Sequence, residues 1–109
     1  MPTVIIRATV ADYDKWKPVF DEHKSYRREY GITDVGLYRD AAAPNDLVIV
    51  FGADDLARAH EFAASENLRE AMKRSGVISE PTIWFLEEAE PLATRLLAPG
   101  EQAVGARST

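Results

Sequence analysis

Residues 3–10, Thr-Val-Ile-Ile-Arg-Ala-Thr-Val, restrict the fold of this chain more than any other segment. Their β-branched content, closed by Ala-Asp, predicts a strand. Val4, Ile6, Ala8 and Val10 occupy one alternating set, and Ile5 stands among Thr3, Arg7 and Thr9 in the other. A strand with apolar residues on both faces is covered on both faces. In a chain of 109 residues, helices supply one cover and a second subunit supplies the other.

The remaining segments follow in a readable order. Asp12 is the expected N-cap of a helix that runs to Gly31, with Pro18 expected to kink it or delay its start. Residues 33–40 alternate, with Val35, Leu37 and Arg39 on one side and Gly36 and Tyr38 on the other. A Pro44-Asn45-Asp46 turn leads to an apolar strand over 47–52. Asp54 or Asp55 caps a second helix whose inner face is expected to hold Leu56, Ala59, His60 and Ala63, with Phe62 at the flank. Ser65-Glu66 starts a short helix over 66–74, stopped by Gly76, and Pro81–Glu88 forms the last strand. The order β-α-β-β-α-β predicts an α+β, ferredoxin-like sandwich with helices on one sheet face. One domain spans residues 1–90. A C-terminal extension over 91–109 holds a helical turn around Leu92, Leu96 and Leu97 and a mobile tail over 101–109.

Composition excludes several classes of function. The chain has no cysteine, so thiol catalysis, disulfides and cysteine-ligated metals are ruled out. A net charge of −5 with scattered Lys and Arg argues against a nucleic-acid or membrane surface. No signal peptide or membrane-length apolar run is present, so a cytoplasmic protein is expected. Phosphate-binding glycine loops, a nucleophile elbow and a dinucleotide fingerprint are missing, and no cofactor is expected.

The first helix carries the chemistry. Trp16, Val19, Phe20, His23, Arg27 and Tyr30 share one face, placing a histidine and an arginine inside an apolar stripe. His23 is either a proton shuttle lining a cavity or a core histidine satisfied by a carbonyl or carboxylate. Arg27 either holds a substrate oxygen or pairs with a sheet residue such as Asp34 or Asp40, or with a partner subunit. His60 is placed to approach His23 across the helix pair. No carboxylate shares either inner stripe, so no metal site is expected. Trp16, Tyr26, Tyr30, Tyr38, Phe51 and Trp84 supply aromatic walls for a planar ligand or simply pack the core. Asn67 donates to a ligand oxygen or caps backbone amides. Arg7, in the first strand, is read mainly as an inter-subunit ion pair.

Several segments resemble the dimeric α+β-barrel superfamily, in its antibiotic biosynthesis monooxygenase-like or cyclase group. These are Asp12-Tyr13-x-Lys15-Trp16-Lys17-Pro18-x-Phe20-Asp21-Glu22-His23 with Arg27, then Leu37-Tyr38-Arg39-Asp40. Leu68-Arg69-Glu70-Ala71-Met72-x-Arg74-x-Gly76-Val77 and Trp84-Phe85-Leu86-Glu87-Glu88 complete the set, and the resemblance spans residues 2–88. It implies a homodimer of facing sheets, each subunit keeping a pocket between its sheet and its helices. The quinone-forming monooxygenases of that group need neither metal nor flavin. Their Asn, Trp, Tyr and Arg do not map residue by residue onto this chain. The expected function is a cofactor-independent enzyme of aromatic or polyketide-like metabolism, a monooxygenase or cyclase using His23 as acid–base and Arg27 as oxyanion partner. The alternative is a non-catalytic small-molecule-binding or dimerisation protein of the same fold.

Overall fold

The first strand, β1 (Thr3–Thr9), lies at the interior of a four-stranded antiparallel sheet. It pairs with β3 (Asp46–Ala53) on one side and β4 (Thr82–Leu86) on the other. The strand β2 (Ile32–Arg39) extends the sheet along β3, giving the order β2-β3-β1-β4. Helices α1 (Tyr13–Glu22) and α2 (Lys24–Glu29) fill the first crossover, and α3 (Leu56–Ala63) and α4 (Glu66–Ser75) the second. The computed structural model describes residues 1–90, and the arrangement is the expected α+β ferredoxin-like one. The helical turn and mobile tail expected within 91–109 lie outside the described residues.

Local chemistry sets several of the helix ends. The Asp12 carboxylate accepts from the Asp14 amide at 2.9 Å, Asp55 from Ala57 at 2.8 Å, and the Ser65 hydroxyl from Leu68 at 3.1 Å. Each satisfies an amide that the first helical turn leaves without a partner. Gly76 closes α4 at φ +90°, a backbone region that side chains disfavour. The core lies on the helix side of the sheet. There Val4, Ile6 and Ala8 of β1 and Leu47, Ile49 and Phe51 of β3 are buried under Trp16, Phe62 and Leu68.

Three expectations are corrected. The first helix breaks at His23, not at Pro18, which lies inside an unbroken α1. Pro18 and Asp14 are both exposed, so the carbonyl that proline deprives of a donor faces water. At His23 the amide is shared between the carbonyls of Val19 and Phe20, each at 3.2 Å. Second, a bulge between Asp34 and Gly36 breaks the alternation of β2. Leu37 stays opposite Ile49, while Val35 swings to the other sheet face beside Gly52. Third, α3 presents Ala59 and Phe62 to the core and leaves His60 exposed. Burying a phenyl ring stabilises by about 2–3 kcal/mol, whereas an imidazole must first lose water.

Candidate functional site

Between the sheet and helices α1 and α4 lies a cavity of about 60 Å³. Trp16, Phe20, Phe51 and Phe62 form its aromatic walls, with Ile6, Ile49, Leu68 and Met72 filling between them. Three polar side chains reach it: His23, Arg27 and Ser75. A dry apolar cavity of about 150 Å³ takes up benzene. The present cavity is less than half that size, so any aromatic ligand needs the cleft to widen, or extends past His23, which is only half-buried.

His23 stands where α1 gives way to α2. Its Nε2 lies 2.5 Å from Oδ1 of Asn67, in the first turn of α4. An amide oxygen only accepts, so Nε2 carries the proton in this pair. In the neutral ring the lone pair then sits on Nδ1, which has no hydrogen-bond partner among the described residues. The ring is braced by Tyr26, with centroids 4.8 Å apart, and by Phe62 at 6.3 Å. Tyr26 in turn meets Tyr30 and Phe62 at 5.2 and 5.9 Å. Asn67 thus joins the site by fixing the histidine, a partnership across 44 positions of sequence.

Arg27 is 3% exposed. Its Nε and one terminal nitrogen donate to the two oxygens of Asp34 at 2.8 and 2.9 Å, and the other terminal nitrogen donates to the Phe20 carbonyl at 2.9 Å. The Phe20 ring lies over the guanidinium, 3.9 Å from its carbon to the ring centroid. The partner is Asp34, not Asp40, whose carboxylate instead accepts from the amides of Ala42 and Ala43. The pair is bidentate, with the guanidinium buried and the carboxylate partly exposed, a geometry that suits arginine better than lysine.

The remaining candidates scatter. Trp16 and Phe51 line the cavity, and Tyr26 and Tyr30 form an aromatic wall behind His23. His60 is outside it and does not face His23: its ring stacks on Phe85 at 3.8 Å over β4. Tyr38 and Trp84 lie on the opposite face of the sheet, 58% and 44% exposed. Arg7 points to that face too, its guanidinium 3.9 Å from Asp46. Ser75, absent from the expected site, is buried and donates to the Met72 carbonyl at 3.0 Å. Its signal was available, because Leu68, Ala71, Met72 and Ser75 share one helical stripe.

The outer sheet face carries a larger, shallower groove of about 520 Å³ bordered by Val35, Val50, Gly52, Leu86 and Glu88. It holds no histidine or arginine, and the helix-side cavity is the chemically equipped one. No cluster of three potential metal-binding side chains occurs among the described residues. No helix among them is long and apolar enough to cross a membrane.

No protein-family model and no curated protein matches the chain. Solved structures do. A structure described as an antibiotic biosynthesis monooxygenase is 17% identical, with a TM-score of 0.61 over 83% of this chain and 100% of its own. The cofactor-independent oxygenase SnoaB from Streptomyces nogalater, in a variant form, is 16% identical, with a TM-score of 0.66 over 84% and 96%. A protein from Mycobacterium tuberculosis is 14% identical, with a TM-score of 0.60 over 85% and 100%. The chain carries the ferredoxin-like α+β fold of the antibiotic biosynthesis monooxygenase-like structures.

Proposed function

We propose that this chain is a cofactor-independent enzyme acting in the cytoplasm on a phenolic aromatic or polyketide-like molecule, with His23 as its acid–base group. The observation that supports this reading most is the His23–Asn67 pair at the mouth of an aromatic cavity. Asn67 accepts from Nε2 in both the neutral and the protonated ring, so Nδ1 can gain and release a proton without disturbing the anchor. A phenol that loses its proton there becomes an electron-rich phenolate. With molecular oxygen as co-substrate, a ring CH₂ or CH is oxidised to a quinone carbonyl and the second oxygen atom leaves as water. Without oxygen, the same deprotonation starts a ring closure. The SnoaB likeness favours the oxygenase branch.

The guanidinium of Arg27 is engaged by Asp34 and Phe20 through three of its five N–H groups. The two that remain are its means of polarising a substrate oxygen. The second subunit of a homodimer covers the outer sheet face in this reading.

The test is oxygen uptake and product mass with a panel of hydroxylated arenes, for wild type and His23→Ala. We expect uptake, a product richer in oxygen, and a rate loss of about 10²-fold in the variant. A variant that turns over the same substrate at full rate removes the role of His23. Tight binding without turnover, unchanged in His23→Ala, makes the protein a binding module instead.

A further inference from the structure

The break between α1 and α2 is gripped from both sides by one residue. Arg27 donates through its side chain to the Phe20 carbonyl in the last turn of α1, and through its backbone amide to the His23 carbonyl at 3.1 Å. In an uninterrupted helix the Phe20 carbonyl would accept from the amide four residues on. Here it accepts instead from the His23 amide at 3.2 Å and from the guanidinium, and the chain turns at His23 with φ −83° and ψ 1°. What aims the guanidinium is Asp34, placed on the inner sheet face opposite Phe51 immediately before the bulge at Val35. Bulges of this kind re-aim a side chain beside a site.

We infer that the Asp34–Arg27 pair is a positioning device for His23: it fixes the bend that carries the ring to Asn67 and so selects the Nε2–H tautomer. This rests on the acid–base reading of His23 for its functional meaning, but its structural content is separate. Asp34 touches neither the ring nor the cavity, and acts through Arg27 and the bend.

Heteronuclear NMR of the imidazole nitrogens tests it at a pH where both rings are neutral. The chain has two histidines, and exposed His60 is an internal control. In wild type His23 shows the Nε2–H form in excess. In Asp34→Asn and in Arg27→Lys that excess falls toward the ratio seen for His60, which itself stays fixed. In Asp34→Asn, whose residue does not line the cavity, turnover falls about tenfold or more, as expected for a misplaced catalytic group, with KM within about twofold when uniform binding is kept. Unchanged His23 tautomers in both folded variants overturn the inference. So does loss of the fold in both, since the pair then carries the fold and not the ring. Should the tautomer shift while wild type turns over no substrate, the positioning stands and the enzymatic reading falls.

Discussion

The side chain of Arg27 is 3% exposed and that of Asp34 is 30%, so the two halves of their ion pair are not equally costly to remove. Deleting the carboxylate strands a cation beneath Phe20 and Phe51, where water does not reach. Deleting the guanidinium leaves a carboxylate that can turn outward. We expect Asp34→Ala to destabilise by about 3 kcal/mol, the lower end of the range for breaking a buried pair. Arg27→Met should cost less than half of that, since its chain fills the same apolar space. Urea midpoints at unchanged slope give both values. Equal losses would mean that the Arg27 charge reaches solvent.

At the scale of elements, α2 meets α3 through Tyr26, Tyr30 and Phe62, with ring centroids 5.2–5.9 Å apart. The hydroxyls of Tyr26 and Tyr30 are 3.5 Å apart, and their hydrogen bond holds the Tyr30 phenol above the ordinary tyrosine value of 10.0. Charge on Tyr26, Glu61 and Glu29 and slight desolvation push it the same way. A raised value in the folded chain means that the contribution to stability is complete below the unfolded value of about 10 and is lost as pH rises through the folded one. Tyrosinate absorbance should therefore show one late-titrating tyrosine that returns toward the ordinary range in Tyr26→Phe. If it titrates late regardless, the hydrogen bond is not the cause. The caps of α1, α3 and α4 were legible in the sequence because each is closed locally: Asp12, Asp55 and Ser65 bond amides two or three residues away. The break at His23 was not, because it depends on Asp34 in another element. The exit of His60 from the core was hidden for a similar reason, since periodicity alone does not decide between the stripe through Ala59 and His60 and the one through Ala59 and Phe62. His23 itself was legible as a polar group in an apolar stripe, while its partner Asn67 was not.

For the whole molecule, the order of strands and helices was legible. Strand parity separated Trp84 from Phe85, but only the packing showed which parity faces the helices. The outcome puts Val35, Tyr38, Trp84 and Leu86, between 41% and 64% exposed, on the face away from α1–α4 beside half-buried Ile5, Val48 and Val50. We expect this exposed apolar surface to serve as an interface, since a second copy offers an identical surface by twofold symmetry. Arg7 and Asp46, on and beside this face, supply a polar rim. We expect sedimentation to give a dimer at micromolar concentration. Trp84→Glu should weaken it by about 100-fold or more, because its carboxylate would be desolvated without a partner. The helix-side core does not include Trp84, so circular dichroism and the His23–Asn67 pair should be unchanged in the variant. A wild type that sediments as a monomer at that concentration would remove the dimer. An unaffected dimer in Trp84→Glu would move the interface off the sheet.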